Sequence, residues 1–114
     1  MNKVFKSFGH ALTGISYATK GRNFQIHIIA GLLAIALGVY LHITKTDLII
    51  VILCVGFVLS AEGTNTAIEE VCNKFHPETH PHIALIKDLA AGSVLIAAIV
   101  TLIIGIVIFA PYFH

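Results

Sequence analysis

The chain has 114 residues, of which 57% are hydrophobic and only 11% charged, and its mean hydropathy is +0.92. A water-soluble domain carries about a quarter of its residues as charges, so this composition excludes an ordinary soluble globule and points to one small domain threaded through a membrane. Seven Lys and Arg against six Asp and Glu leave a net charge of +1, too little basic excess for a nucleic-acid partner.

Residues 1–20 place Val4, Phe5, Phe8, Ala11, Leu12 and Ile15 on one helical face, with Lys3, Lys6, Ser7, His10 and Thr13 elsewhere. This pattern predicts an amphipathic helix lying in the membrane surface. Its polar interruptions argue against a cleavable signal peptide. From Phe24 to Thr44 no residue is charged, and at about 1.5 Å per residue a helix over 24–44 covers the roughly 30 Å hydrocarbon layer. Ala30, Ala34 and Gly38 recur every four residues and predict a smooth helix contact. Thr44-Lys45-Thr46-Asp47 then turns the chain, with Asp47 placed to cap the next helix. The uncharged run Leu48 to Ala61 is too short to cross alone, so the second helix, expected over about 47–70, must continue through Glu62. The third is expected over 88–110, because no formal charge follows Asp88. Ser93, Ala97, Thr101 and Gly105 repeat the small-residue spacing there. The expected architecture is all-α: a surface helix and three transmembrane helices in a single domain, 1–114. Lys3, Lys6, Lys20 and Arg22 precede the first span, Lys74 and Lys87 lie between the second and third, and only Lys45 falls on the other side. The positive-inside tendency therefore directs the N-terminus and the 70–88 segment to the cytoplasm. Cys54 and Cys72 are too few for a disulfide framework and read as free thiols.

The chemistry concentrates in Glu62-Gly63-Thr64-Asn65-Thr66-Ala67-Ile68-Glu69-Glu70. Spacings of three and four put Glu62, Asn65 and Glu69 on one helical face, while Glu70 points about 100° away, as a solvated interfacial acid would. A carboxylate near hydrocarbon costs a few kcal/mol unless paired, hydrated or metal-bound, which marks the group as a candidate site. The plainer alternative is an ion pair of Glu62 with Lys20, Arg22 or Lys87. Lys87-Asp88 follows after a short connection, and an antiparallel helix pair brings this cation beside the acids. Carboxylates, an amide and a lysine at one interface suit a phosphate and a hard cation; a lysine snorkelling to the headgroups beside a capping aspartate is the simpler account of that pair alone. His76, His80 and His82 with Glu78 suggest a transition-metal site, but Pro77 and Pro81 break the helix that would align two histidines, so lining a nucleotide pocket suits this loop better. His27 reads as hydrogen-bonded within the bundle, and His10, His42 and His114 suggest nothing specific. Gly9 and Gly14 have P-loop spacing, but Ile15-Ser16 follows in place of Lys and Ser or Thr, so there is no P-loop.

Glu62-x-x-Asn65-Thr66-Ala67-Ile68-Glu69, then Lys87-Asp88 and Ala90-Ala91-Gly92-Ser93-Val94, with Arg22-Asn23-Phe24-x-x-His27 upstream, resemble the small integral-membrane lipid kinases of bacteria. That family comprises diacylglycerol kinase and undecaprenol kinase, and the resemblance covers about Lys3 to Pro111. It implies a homotrimer in the bacterial cytoplasmic membrane that moves the γ-phosphate of ATP to a lipid hydroxyl, with Mg2+ as cofactor. By motif position Glu62 resembles the general base that meets the lipid substrate, Glu69 a magnesium ligand, and Asn65 a residue shaping that site. Lys87 and Asp88 resemble nucleotide-phosphate contacts, and Glu78 and His80 fall where the family's loop touches adenosine. One departure stands out: the family usually has a second metal-binding glutamate just before Arg22-Asn23-Phe24, where this chain has Lys20-Gly21. Gly63-Thr64 also replaces a bulkier apolar pair.

The Arg22-Asn23-Phe24-x-x-His27 segment and the ending Phe109-Ala110-Pro111 resemble the undecaprenol-phosphorylating branch, so undecaprenol is the expected acceptor and diacylglycerol the alternative. Two rival functions fit the same residues. One is a small proton-coupled transporter, although such sites usually lie near the bilayer midplane. The other is a catalytically weakened assembly protein, suggested by Gly21.

Overall fold

The computed structural model of the chain describes residues 2–75 and 80–113. Helices α1 (Asn2–Ala18), α2 (Arg22–Tyr40), α3 (Lys45–Phe75) and α4 (Pro81–Phe109) follow in order, and a short 3-10 turn, Ala110–Tyr112, closes the described chain. No strand occurs among the described residues. Three helices, α2, α3 and α4, are long and apolar enough to cross a membrane, and the fold is that of an all-helical membrane protein. Helix α1 buries none of its residues. Phe5, Phe8, Leu12 and Ile15 stand exposed along its apolar face, the surface a bilayer interface would cover.

Local chemistry fixes the corners. Gln25 Nε2 donates to the Thr19 carbonyl at 2.8 Å and bridges α1 to α2. At the far end of α2, His42 takes φ +57°, the Ile43 N–H donates to the Gly38 carbonyl and the His42 N–H to the Val39 carbonyl, each at 3.2 Å. This is a Schellman ending built on a histidine in the left-handed region. Ile43 folds over Gly38, where a Cβ would lie 2.9 Å from Ile43 Cδ1. Thr44 then caps α3, its Oγ1 accepting the Asp47 N–H at 3.1 Å. The hydroxyl, one residue outside the helix, takes the role that the sequence suggested for Asp47, which sits in the first turn.

Both helices of the acidic end are longer than expected. Helix α3 has 31 residues, roughly 46 Å at 1.5 Å per residue and well beyond the hydrocarbon thickness. It passes Glu70 and continues to Phe75. Helix α4 begins at Pro81 rather than Asp88, because proline at the first helical position lacks only an N–H that would be unbonded there anyway. His80 completes the start, its Nδ1 accepting the His82 N–H at 3.1 Å.

Helix α3 is central and packs on α4 and α2. Its buried residues Val51, Val58, Glu62, Asn65 and Cys72 follow one seam. On α2 the buried residues are Phe24, Gly31 and Gly38, so the close contact lies beside the Ala30-Ala34-Gly38 stripe and shares only Gly38 with it. A Cβ on Gly31 would lie 2.5 Å from Val55 Cγ1, which is why glycine is needed there. Ala30 and Ala34 instead line an apolar groove of about 690 Å³ together with Thr101 and Gly105 of α4. Of the α4 stripe, Ala97 is 1% exposed, whereas Ser93 is exposed. The molecule is a single layer of helices, 52 × 43 × 19 Å, with a thin core around Ile43, Val51 and Ile108.

Candidate active site

The seam on α3 changes character along its length, apolar at Val51 and Val58 and polar at Glu62 and Asn65. Glu62 is 5% and Asn65 8% exposed; Glu69, one turn further, is exposed. Asn65 Nδ2 donates to Glu69 Oε1 at 3.0 Å, a direct contact between two of the three residues expected on one face. Glu62 and Glu69 border one cleft of about 410 Å³, closed on its other side by Lys20, Gly21 and Arg22 from the corner between α1 and α2. Asn65 Oδ1 is buried without a hydrogen-bond partner. Leaving such an acceptor unpaired costs about 1–3 kcal/mol; Asn65 is not among the residues that border the cleft and adjoins it through its bond to Glu69. The cleft's carboxylates, among them Glu62 and Glu69, are oxygen donors that suit a hard cation such as magnesium, which keeps several waters and needs few protein ligands. Among the described residues no three His, Cys, Asp or Glu are grouped to hold a metal by themselves, so such an ion would need water and substrate oxygens as well.

Lys87 Nζ donates to Asn73 Oδ1 at 2.6 Å. Asn73 lies one turn beyond Glu69, so this bond carries the lysine to the acidic end of the bundle. Asp88, the next residue, is exposed on α4 and is not among the residues that border the cleft. Lys20 Nζ sits 5.8 Å from the centre of the Tyr17 ring. Two of the three cations considered as partners for Glu62 thus engage other groups, and Arg22 borders the cleft itself.

Glu70 is not simply solvated. Tyr17 Oη donates to Glu70 Oε1 at 2.8 Å, and the hydrogen bond to the carboxylate, followed by its charge, raises the Tyr17 pKa above 10.0, since the phenolate would lose the bond and face a like charge. His80 caps α4 from the connection. Glu78 and His76 lie outside the described residues. Tyr17 and Asn73 escaped the sequence reading. Asn73 was accessible from spacing, four residues after Glu69 on the same face, had the helix been carried past Glu70. Tyr17 had no signal, because its partner is 53 positions away.

Fold and site together define a membrane-embedded helical protein with an acidic cleft at one end of its bundle. The sequence matches the family described as prokaryotic diacylglycerol kinase over residues 9–109, and the chain belongs to that family. It is 38% identical over 112 residues to the undecaprenol kinase of Bacillus subtilis, covering 97% of this chain and 91% of that one. To a diacylglycerol kinase of Synechocystis it is 38% identical over 101 residues, 87% of this chain and 58% of the relative. The diacylglycerol kinase of Escherichia coli is 29% identical over 102 residues, 89% of this chain and 84% of that one. The chain is therefore a lipid kinase, and ATP is its phosphoryl donor.

Proposed function

We propose that the chain phosphorylates undecaprenol to undecaprenyl phosphate at the cytoplasmic face of a bacterial inner membrane. The observation that carries the site assignment is the face of α3 where buried Glu62 shares a cleft with Glu69 and Asn65 hydrogen-bonds to Glu69. In this reading Glu62 takes the proton of the lipid hydroxyl as that oxygen forms its bond to the γ-phosphorus and the bond to ADP breaks. Glu69, with Asn65, holds the magnesium, which supplies charge neutralisation for the phosphates when bound. Lys87, oriented by Asn73, contributes positive charge to the nucleotide phosphates, while Asp88, Glu78 and His80 complete the nucleotide side. Aligning donor and acceptor and neutralising charge are most of what phosphoryl transfer requires, so two helix ends can supply it.

The undecaprenol preference rests on the long match to the Bacillus subtilis enzyme; diacylglycerol is the second reading, favoured by the Synechocystis and Escherichia coli relatives. Lys3, Lys6, Lys20 and Arg22 around α1, with Lys74 at the end of α3 and Lys87 early in α4, support the cytoplasmic placement of this end. A homotrimer is supported by the exposed apolar faces of the thin helical layer. The test is transfer of labelled γ-phosphate from ATP into an extractable lipid, with undecaprenol and diacylglycerol in parallel. Wild type should label undecaprenol at higher kcat/KM. Glu62→Gln should lower kcat by about 10²–10⁴-fold while the protein remains folded. Activity retained in Glu62→Gln would refute its role as base, and preferential labelling of diacylglycerol would reverse the substrate assignment.

A further inference from the structure

Two cavities meet under the C-terminal half of α1. One is the polar cleft of Glu62 and Glu69. The other is a largely apolar groove of about 740 Å³, walled by Gly14 and Ile15 of α1 and by Leu59, Gly63 and Ala67 of α3. Tyr17, Ala18, Phe24, Thr66 and Glu70 border both cavities and so form the partition between them. The 2.8 Å hydrogen bond from Tyr17 to Glu70 lies in that partition. Little else fastens α1 to the bundle: none of its residues is buried, and its contact with α3 is slight beside those of α2 and α4.

We propose that the Tyr17–Glu70 hydrogen bond is a positioning latch that holds α1 against α3 and fixes the partition across which a lipid hydroxyl reaches Glu62. An apolar groove suits a hydrocarbon chain, and a polar cleft with lysine and arginine suits phosphates. The two substrates of a lipid kinase differ in this way, and they must meet where the cavities adjoin. With the hydrogen bond intact, α1 roofs the groove at a fixed height above α3; without it the roof lifts and the lipid chain loses one wall. Tyr17 and Glu70 act through this geometry and need not touch the reacting atoms.

The proposal rests on the lipid-kinase reading of the cleft, and the experiment separates the two. The full chain in lipid vesicles is compared with Tyr17→Phe, Glu70→Ala, Glu70→Gln and the double variant Tyr17→Phe/Glu70→Ala. Tyr17→Phe and Glu70→Ala should each raise KM for the lipid by about three- to tenfold, the range expected for one exposed hydrogen bond, with kcat and KM for ATP changed far less. The double variant should be no worse than either single one. Glu70→Gln, whose amide oxygen still accepts from Tyr17, should fall between wild type and Glu70→Ala. A readout independent of activity is trypsin cleavage after Lys20 and Arg22 at the corner, which should accelerate in Tyr17→Phe and Glu70→Ala and less in Glu70→Gln. Equal cleavage rates, an unchanged lipid KM, or additive losses in the double variant would overturn the latch while leaving the kinase reading intact. A wild-type chain that labels no lipid would sink the kinase reading, and with it the catalytic role of the latch.

Discussion

Position 21 offers a direct test of how many carboxylates the cleft uses. Gly21 caps α2 with φ −77° and ψ 139°, a conformation open to any residue. A Cβ added there meets only the Ala18 carbonyl oxygen, at 3.5 Å, an ordinary contact, and the position borders the same cleft as Glu62 and Glu69. A side-chain Cβ therefore fits at this point, and the cleft offers space for the rest of a glutamate. An acid at the N-terminus of α2 gains about 0.3–1 kcal/mol from the helix dipole, so Gly21→Glu should leave stability the same or slightly higher. Its effect on a metal-bound nucleotide is larger. A unit charge about 4 Å from a divalent cation in a water-like dielectric contributes about 2 kcal/mol, twice the value for two unit charges. Salt and the flanking Lys20 and Arg22 reduce this to about 1 kcal/mol at the lower end. Affinity for magnesium-ATP should accordingly rise by about 5- to 30-fold. Calorimetric titration with magnesium and a non-hydrolysable ATP analogue measures it, alongside the magnesium concentration for half-maximal rate. An unchanged affinity in a variant with the same thermal midpoint would refute the view that the cleft lacks one metal carboxylate.

Three further outcomes follow from the geometry. Gly31→Ala should destabilise the fold by about 1–3 kcal/mol through overpacking, since its Cβ would stand 2.5 Å from Val55 Cγ1; the loss, read by denaturation in detergent, should shrink in the double variant Gly31→Ala/Val55→Ala. Lys87→Met, which removes the charge held at Asn73, should raise KM for ATP about tenfold or more with little change in KM for the lipid, as steady-state kinetics with each substrate varied would show. The third concerns pH. Glu70 raises the Tyr17 pKa in the folded protein, so the hydrogen bond contributes fully below pH 10 and is lost as pH climbs through the raised value. Tyr17 should ionise late in an ultraviolet titration, that component should vanish in Tyr17→Phe, and in Glu70→Gln it should move back toward 10.

The parts of the fold legible in the sequence were those set by composition and helical spacing. Absence of charge over 24–44 and after Asp88 announced two spans, and the alternation of Phe5, Phe8, Leu12 and Ile15 with polar residues announced α1. The Glu62-Asn65-Glu69 face was equally readable, because residues three and four apart on a helix must be neighbours. Helix ends were less legible. Pro81 looked like a helix breaker but starts α4, and the hydroxyl of Thr44 rather than the carboxylate of Asp47 caps α3, since capping depends on which residue leaves the helix first. The small-residue stripes marked the contact faces in part: Gly38 and Ala97 are buried, while Gly31, off the α2 stripe, makes the closest approach and Ala30 lines a groove. Tyr17 with Glu70 and Asn73 with Lys87 are tertiary pairs, and local pattern carries no information about them.

A layer only 19 Å thick has broad sides and almost no inside, so its cohesion cannot be a property of one polypeptide in isolation. Lipid or neighbouring chains must supply the missing half of the packing, and mass action then enters its thermodynamics. Melting temperature should shift with the ratio of protein to detergent, as it would for a ligand that is never fully removed.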